Sequence, residues 1–165
     1  MGRGIAQIAA QAGSTVKLFD TQAAALAQAI QAIGTQWDNM VAKNRITADQ
    51  AAQYKANLHG VAQLSDLADC DLVIEAIVER LDIKRSFFAE LETIVQPSAV
   101  LATNTSSLSV TAIAAGLQRP EQFAGYHFFN PVPLMKVVEV IAGLKTKPSI
   151  CQDLATYAVQ MGHKA

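Results

Sequence analysis

Apolar positions along this chain switch between two spacings, and the switches mark its elements. From Ile5 to Ala12 they recur at helical spacing in an alanine-rich run that Gly13-Ser14 stops, so a helix is expected to open the chain. Thr15-Val16-Lys17-Leu18-Phe19-Asp20 then alternates, is rich in strand formers and ends in an acid. From Thr21 to about Lys43, Leu26, Ile30, Ile33, Trp37 and Met40 return on one face of an alanine- and glutamine-rich stretch, which predicts a long amphipathic helix. Thr47 is placed to cap a second helix that runs through Leu58 and closes at His59-Gly60, so the two helices form a hairpin.

Beyond the hairpin the period shortens. Val61 to Leu64 is a short strand candidate, and Asp71 to Ile77 and Ala99 to Thr103 are apolar runs that hardly alternate, as strands buried on both faces do. Between and after them, helices are expected over Asp82 to Val95, which Pro97 ends, and over Val110 to Gly116. Phe123 to Phe129 and Val137 to Ile141 complete the strands, and a last helix runs from about Lys147 to Met161 into Gly162. Strands alternating with helices predict an α/β fold, a doubly wound and mostly parallel sheet covered on both faces, with residues 1–165 as a single domain.

Composition narrows the function classes. The chain is 51% hydrophobic with a formal net charge of -1, and its basic residues are scattered, which argues against nucleic-acid and membrane-surface partners. Cys70 and Cys151 are far apart and lack metal-ligand spacing, so free thiols, no metal site and a cytoplasmic location are expected. No apolar run approaches a membrane span, and Met1-Gly2-Arg3-Gly4 lacks the layout of a signal peptide.

Two stretches carry candidate chemistry. Gly2-Arg3-Gly4-Ile5-Ala6, the helix after it and the strand ending at Asp20 read as the second half of a dinucleotide-binding βαβ unit. There the phosphates sit on a helix N-terminus and an acid accepts from the adenosine ribose. No Arg or Lys adjoins Asp20 to pair a 2'-phosphate, which favours NAD over NADP; the alternative is that Asp20 caps the helix beginning at Thr21. The second stretch is Gly125-Tyr126-His127-Phe128-Phe129-Asn130-Pro131, followed by Glu139. A carboxylate against one ring nitrogen of His127 would leave the other to take a proton from a substrate hydroxyl, although a lone histidine among aromatics is more often a hydrogen-bonded core residue.

With these residues in view, the chain resembles the NAD-binding domain of the (S)-3-hydroxyacyl-CoA dehydrogenases, including the bacterial 3-hydroxybutyryl-CoA dehydrogenases. The likeness is carried by Met1-Gly2-Arg3-Gly4-Ile5-Ala6, the run Asp71 to Glu79, Asn104-Thr105-Ser106-Ser107-Leu108, His127-Phe128-Phe129-Asn130-Pro131-Val132-Pro133 and the run Met135 to Val140. It implies a Rossmann-like fold with a helical hairpin insertion, and NAD-dependent oxidation of a 3-hydroxyacyl-CoA to a 3-ketoacyl-CoA, a reaction of fatty acid β-oxidation.

The resemblance also implies roles for single residues. His127 would be the base, Glu139 the acid that orients it, and Ser106 the hydroxyl that reaches both nicotinamide and substrate oxygen. Gly2, Asp20, Glu79, Lys84 and Asn130 would contact NAD. Lys43 would meet the CoA nucleotide, although position 36, a CoA-contacting serine in some relatives, is Gln36 here. Each has an ordinary alternative: Ser106 as a helix cap, Asn130 as a turn residue before proline, Glu79 and Lys84 as a surface charge pair, Lys43 as a surface lysine. His59 and His163 read as helix-end residues without chemistry.

The departures are as informative as the matches. The chain begins where the family's phosphate loop has already reached its third glycine, so the first, central strand is expected to be missing and the sheet to carry an open slot. It stops at Gly162-His163-Lys164-Ala165, where relatives enter a further strand and then the all-helical C-terminal domain that forms a homodimer. A fragment of a larger enzyme is expected, inactive by itself. Two competing readings are a dehydrogenase of a free hydroxy acid and a non-catalytic remnant.

Overall fold

A computed structural model describes residues 1–165. The chain runs through α1 (Gly2–Gln11), β1 (Val16–Phe19), α2 (Ala23–Ala42), α3 (Ala48–Asn57) and β2 (Leu58–Val61). After a 3-10 turn at Leu64–Leu67 come β3 (Leu72–Glu75), α4 (Leu81–Ile94), β4 (Val100–Thr103) and α5 (Val110–Ala114). A second 3-10 turn at Pro120–Gln122 leads into β5 (Phe123–Phe128), β6 (Val138–Ala142) and α6 (Pro148–Gln160).

Strands β3, β4 and β5 pair in parallel, and β6 returns antiparallel to β5, in the order β3-β4-β5-β6; β1 and β2 pair in parallel as a separate ladder. Successive strand residues supply opposite faces of the larger sheet. Ala102, Ala124, Tyr126 and Phe128 pack with Ile5 and Ile8 of α1 and with Ile150, Leu154 and Ala158 of α6. Leu101 and Phe123 pack the other way, with Phe88 and Leu91 of α4 and Ile113 of α5. A third core joins α1 to the hairpin through Ala6, Ala10, Ile33, Trp37 and Ala51, with the rings of Trp37 and Tyr54 5.7 Å apart.

The helix signals work as their chemistry requires. Thr47 makes a full capping box with Gln50, its hydroxyl accepting the Gln50 amide at 3.1 Å and the Gln50 side chain accepting the Thr47 amide at 2.9 Å. Gly13 follows α1 at φ +93°, the left-handed conformation that favours glycine. One stretch differs from expectation: His59 and Gly60 belong to strand β2, paired with Lys17 and Leu18, and Leu64 opens a 3-10 turn instead of ending a strand. Gly60 is there for close approach, since a Cβ at that position would lie 2.5 Å from Ile30 Cδ1 of α2. Asp20 does not cap at Thr21 either: it follows β1 and its Oδ1 accepts the Gln22 amide at 2.8 Å, while α2 starts at Ala23. No helix is long and apolar enough to cross a membrane.

Candidate active site

The only antiparallel pairing of the larger sheet places His127 of β5 directly opposite Glu139 of β6. Opposed residues on neighbouring strands share a face, so the two side chains meet by register alone. His127 Nδ1 lies 2.8 Å from Glu139 Oε2, while Nε2 has no hydrogen bond within the chain. A neutral imidazole that donates from Nδ1 leaves Nε2 as an acceptor, the state a proton-abstracting group needs. The Phe129 ring lies 4.7 Å from the imidazole and walls its outer side.

His127 opens into a cleft of about 330 Å³, whose lining includes Met1, Glu79, Lys84, Ser106, Phe129 and Asn130. Segments far apart in sequence converge there because the loops after β3, β4 and β5 leave the same end of a parallel sheet, where ligands of open α/β sheets bind. Asn104 ties two of them: its Oδ1 accepts the Phe128 amide at 2.8 Å, fixing the residue after His127.

Glu79 organises the loop after β4. Its carboxylate accepts Thr105 Oγ1 at 2.6 Å, the Ser106 amide at 3.1 Å and Ser106 Oγ at 3.3 Å. Partial burial opposes its charge, but the bonds from Thr105 and Ser106 and the nearby Lys84 ammonium outweigh it and hold the carboxyl below the usual glutamate value. A depressed folded-state value means the loop is fully held above the ordinary carboxylate range and released as pH falls through the lower value. The Ser106 amide resonance should therefore titrate with a midpoint below about pH 4.3. A midpoint at or above that figure would remove Glu79 as the holder of the loop.

Lys84 is not the surface partner of Glu79 that sequence spacing allowed. It is 1% exposed, and its Nζ lies 2.6 Å from Oε1 of Glu75, which is 2% exposed, against 3.7 Å from Glu79. Glu75 also accepts Thr103 Oγ1 at 2.7 Å and the Ile77 amide at 2.7 Å. Glu75, Thr103, Asn104 and Thr105 thus support the site, although the sequence reading gave none of them a role of its own. The signal for Glu75 was present: an acid inside a run read as a buried strand needs a buried partner.

The other candidates divide. Gly2 begins α1 beside the cleft, and Met1 supplies no side-chain cap, so the first amides of that helix are available to an anion. Asp20 is exposed after β1 and Lys43 is exposed at the end of α2, both outside the cleft lining. Ser106 is not a helix cap, because Ser109 caps α5 by accepting the Ala112 amide at 3.1 Å. His163 is buried, and Cys70 and Cys151 are free thiols. A dinucleotide is suited by an uncapped helix N-terminus for phosphate, Asp20 Oδ2 left without a bond beyond β1, and mixed polar and aromatic lining near His127.

Comparison with known proteins agrees with this architecture. The family described as "3-hydroxyacyl-CoA dehydrogenase, NAD binding domain" matches residues 1–165. The chain is 43% identical over 162 residues to a 3-hydroxyadipyl-CoA dehydrogenase of Escherichia coli, covering 98% of this chain and 34% of that protein. It is 40% identical over 162 residues to a 3-hydroxybutyryl-CoA dehydrogenase of Bradyrhizobium diazoefficiens, covering 98% and 55%. The crystal structure of 3-hydroxybutyryl-CoA dehydrogenase from Escherichia coli superposes with a TM-score of 0.98 at 43% identity, over 99% of this chain and 35% of that one. The chain thus spans from about a third to just over half of the length of these curated relatives. A parallel-stranded Rossmann-like fold, a full-length family match and this degree of identity place the chain in the 3-hydroxyacyl-CoA dehydrogenase family, as its NAD-binding domain.

Proposed function

We propose that this chain is the proton-transferring, NAD-binding part of an enzyme that interconverts an (S)-3-hydroxyacyl-CoA and its 3-ketoacyl-CoA. The observation that carries the reading is the register pair of His127 and Glu139 at the mouth of a cleft shared with Ser106 and Asn130. In the oxidative direction His127 Nε2 takes the proton of the 3-hydroxyl. Glu139 holds the ring by Nδ1 and stabilises the imidazolium that forms. Bound NAD supplies the hydride acceptor.

Ser106 directs its hydroxyl hydrogen to Glu79, so its lone pairs are left to accept from the nicotinamide amide. Glu79 and Lys84 face the nicotinamide ribose, Asp20 accepts from the adenosine ribose, the α1 amides at Gly2 meet the phosphates, and Asn130 offers its amide to cofactor or substrate. Lys43 meets the CoA nucleotide, and the working enzyme is a homodimer. These assignments are supported by where the family's motifs fall on this chain.

The test is a chimera in which this chain replaces the matched segment of the Escherichia coli 3-hydroxybutyryl-CoA dehydrogenase. NADH oxidation with acetoacetyl-CoA is expected, and little with free acetoacetate. A folded chimera that oxidises no NADH, or prefers the free acid, would sink the reading.

A further inference from the structure

His163 takes no part in the chemistry outlined above, yet it is 3% exposed and both ring nitrogens face backbone carbonyls. Nδ1 lies 3.2 Å from the Met161 oxygen at the end of α6, and Nε2 lies 3.1 Å from the Val132 oxygen. Val132 belongs to the loop that joins β5 to β6, the loop whose two ends carry His127 and Glu139. The imidazole also sets its edge against Phe128, with centroids 5.8 Å apart at 74°. The next residue fastens the far end of the same loop: the Lys164 amide donates to Lys136 at 2.9 Å, and the Val138 amide donates to Lys164 at 2.9 Å.

Val132 is pinned from the opposite side as well. Its side chain is 2% exposed and lies against α1, where a Cβ on Gly4 would come within 2.9 Å of Val132 Cβ. The loop therefore sits between the first helix and the segment that follows the last one. Two of its fixed points adjoin the dyad residues, Phe128 following His127 and Val138 preceding Glu139, and the third, Val132, lies between them in the loop.

We propose that His163 is a positioning residue for the His127–Glu139 pair, acting through the hydrogen bond from its Nε2 to the Val132 carbonyl. The bond holds the connecting loop at one height over α1, and that height sets how the ends of β5 and β6 face each other. Only the Nε2 contact reaches the loop, since the Met161 oxygen lies two residues back along the same segment. The inference rests on His127 and Glu139 being the working pair, but its test reads hydrogen bonding instead of turnover.

Two polar variants separate the tether from packing. His163→Gln can place an amide N–H where Nε2 stands, whereas His163→Asn reaches only the position of Nδ1. Two signals are read in the 165-residue chain: the tautomer of His127 from its isotope-labelled ring nitrogens, and exchange at the Leu134 and Met135 amides, which both donate to Pro131 at 2.9 Å. In His163→Gln the Nδ1–H tautomer and the amide protection should match the unaltered chain. In His163→Asn the tautomers should mix and the two amides should exchange at least about tenfold faster. Any other pattern overturns the proposal: both variants like the unaltered chain, both equally changed, both unfolded, or the asparagine variant the better of the two. If the unaltered chain itself shows no Nδ1–H preference, it is the dyad, and with it the proposed function, that fails.

Discussion

His127→Gln is expected to lower turnover of the acetoacetyl-CoA chimera by at least about a hundredfold. Glutamine is close to histidine in reach and puts its amide at the place of Nε2, so the side chain still fills the cleft mouth although the Nδ1 bond to Glu139 is given up. What glutamine cannot do is carry a proton between the substrate oxygen and solvent near neutral pH. The loss should therefore fall on kcat, while NADH binding stays within about threefold, the pattern of an interaction made mainly in the transition state. A hundredfold fall corresponds to about 2.7 kcal/mol of barrier, within the range that a positioned acid-base group supplies. Near-normal kcat would remove His127 as the base; an equal loss in NADH affinity would make it a binding residue.

Lys84→Met should destabilise the chain by roughly 3–5 kcal/mol, the range for removing one partner of a buried ion pair. Methionine matches most of the lysine volume, so packing between α4 and β3 changes little. The Glu75 carboxylate, however, is left with Thr103 and the Ile77 amide and without a counter-charge. Urea unfolding of the variant and of Glu75→Leu/Lys84→Met separates the two contributions. The double variant should recover most of the loss, because an apolar pair neither gains the attraction nor suffers the desolvation. A single-variant loss below about 1 kcal/mol, the size expected of an exposed pair, would show that the pair is solvated in solution.

The parts of the fold that periodicity could reach were legible. Runs with hardly any alternation became β3 and β4, each covered on both faces, and the five-position apolar stripe from Leu26 to Met40 became the long hairpin helix. The boundary that moved lies at Leu58 to Leu64, where a glycine that resembles a helix stop is needed for contact with Ile30; one-dimensional sequence does not record that contact. His127 and Glu139 were legible as a pair because the link between them is a hairpin, so a short separation in sequence is also adjacency in space. Lys84 misled for the opposite reason: spacing pointed to Glu79, while burial joined it to an acid on the neighbouring strand. His163 gave no sign of its place, because what surrounds it is main-chain carbonyl, which every residue carries.

The antiparallel ladder between β5 and β6 gives the register that joins the dyad two positions instead of a continuous range. Side chains alternate faces along a strand, so shifting β6 by a single residue would carry Glu139 to the opposite side of the sheet and bring an apolar neighbour before His127. Intermediate registers are thus excluded by pleat geometry, and the loop tether can adjust the pair only within the one register. Among relatives with insertions or deletions in the Phe129 to Val137 connection, activity should divide by whether the ladder keeps its register, and length by itself should matter little.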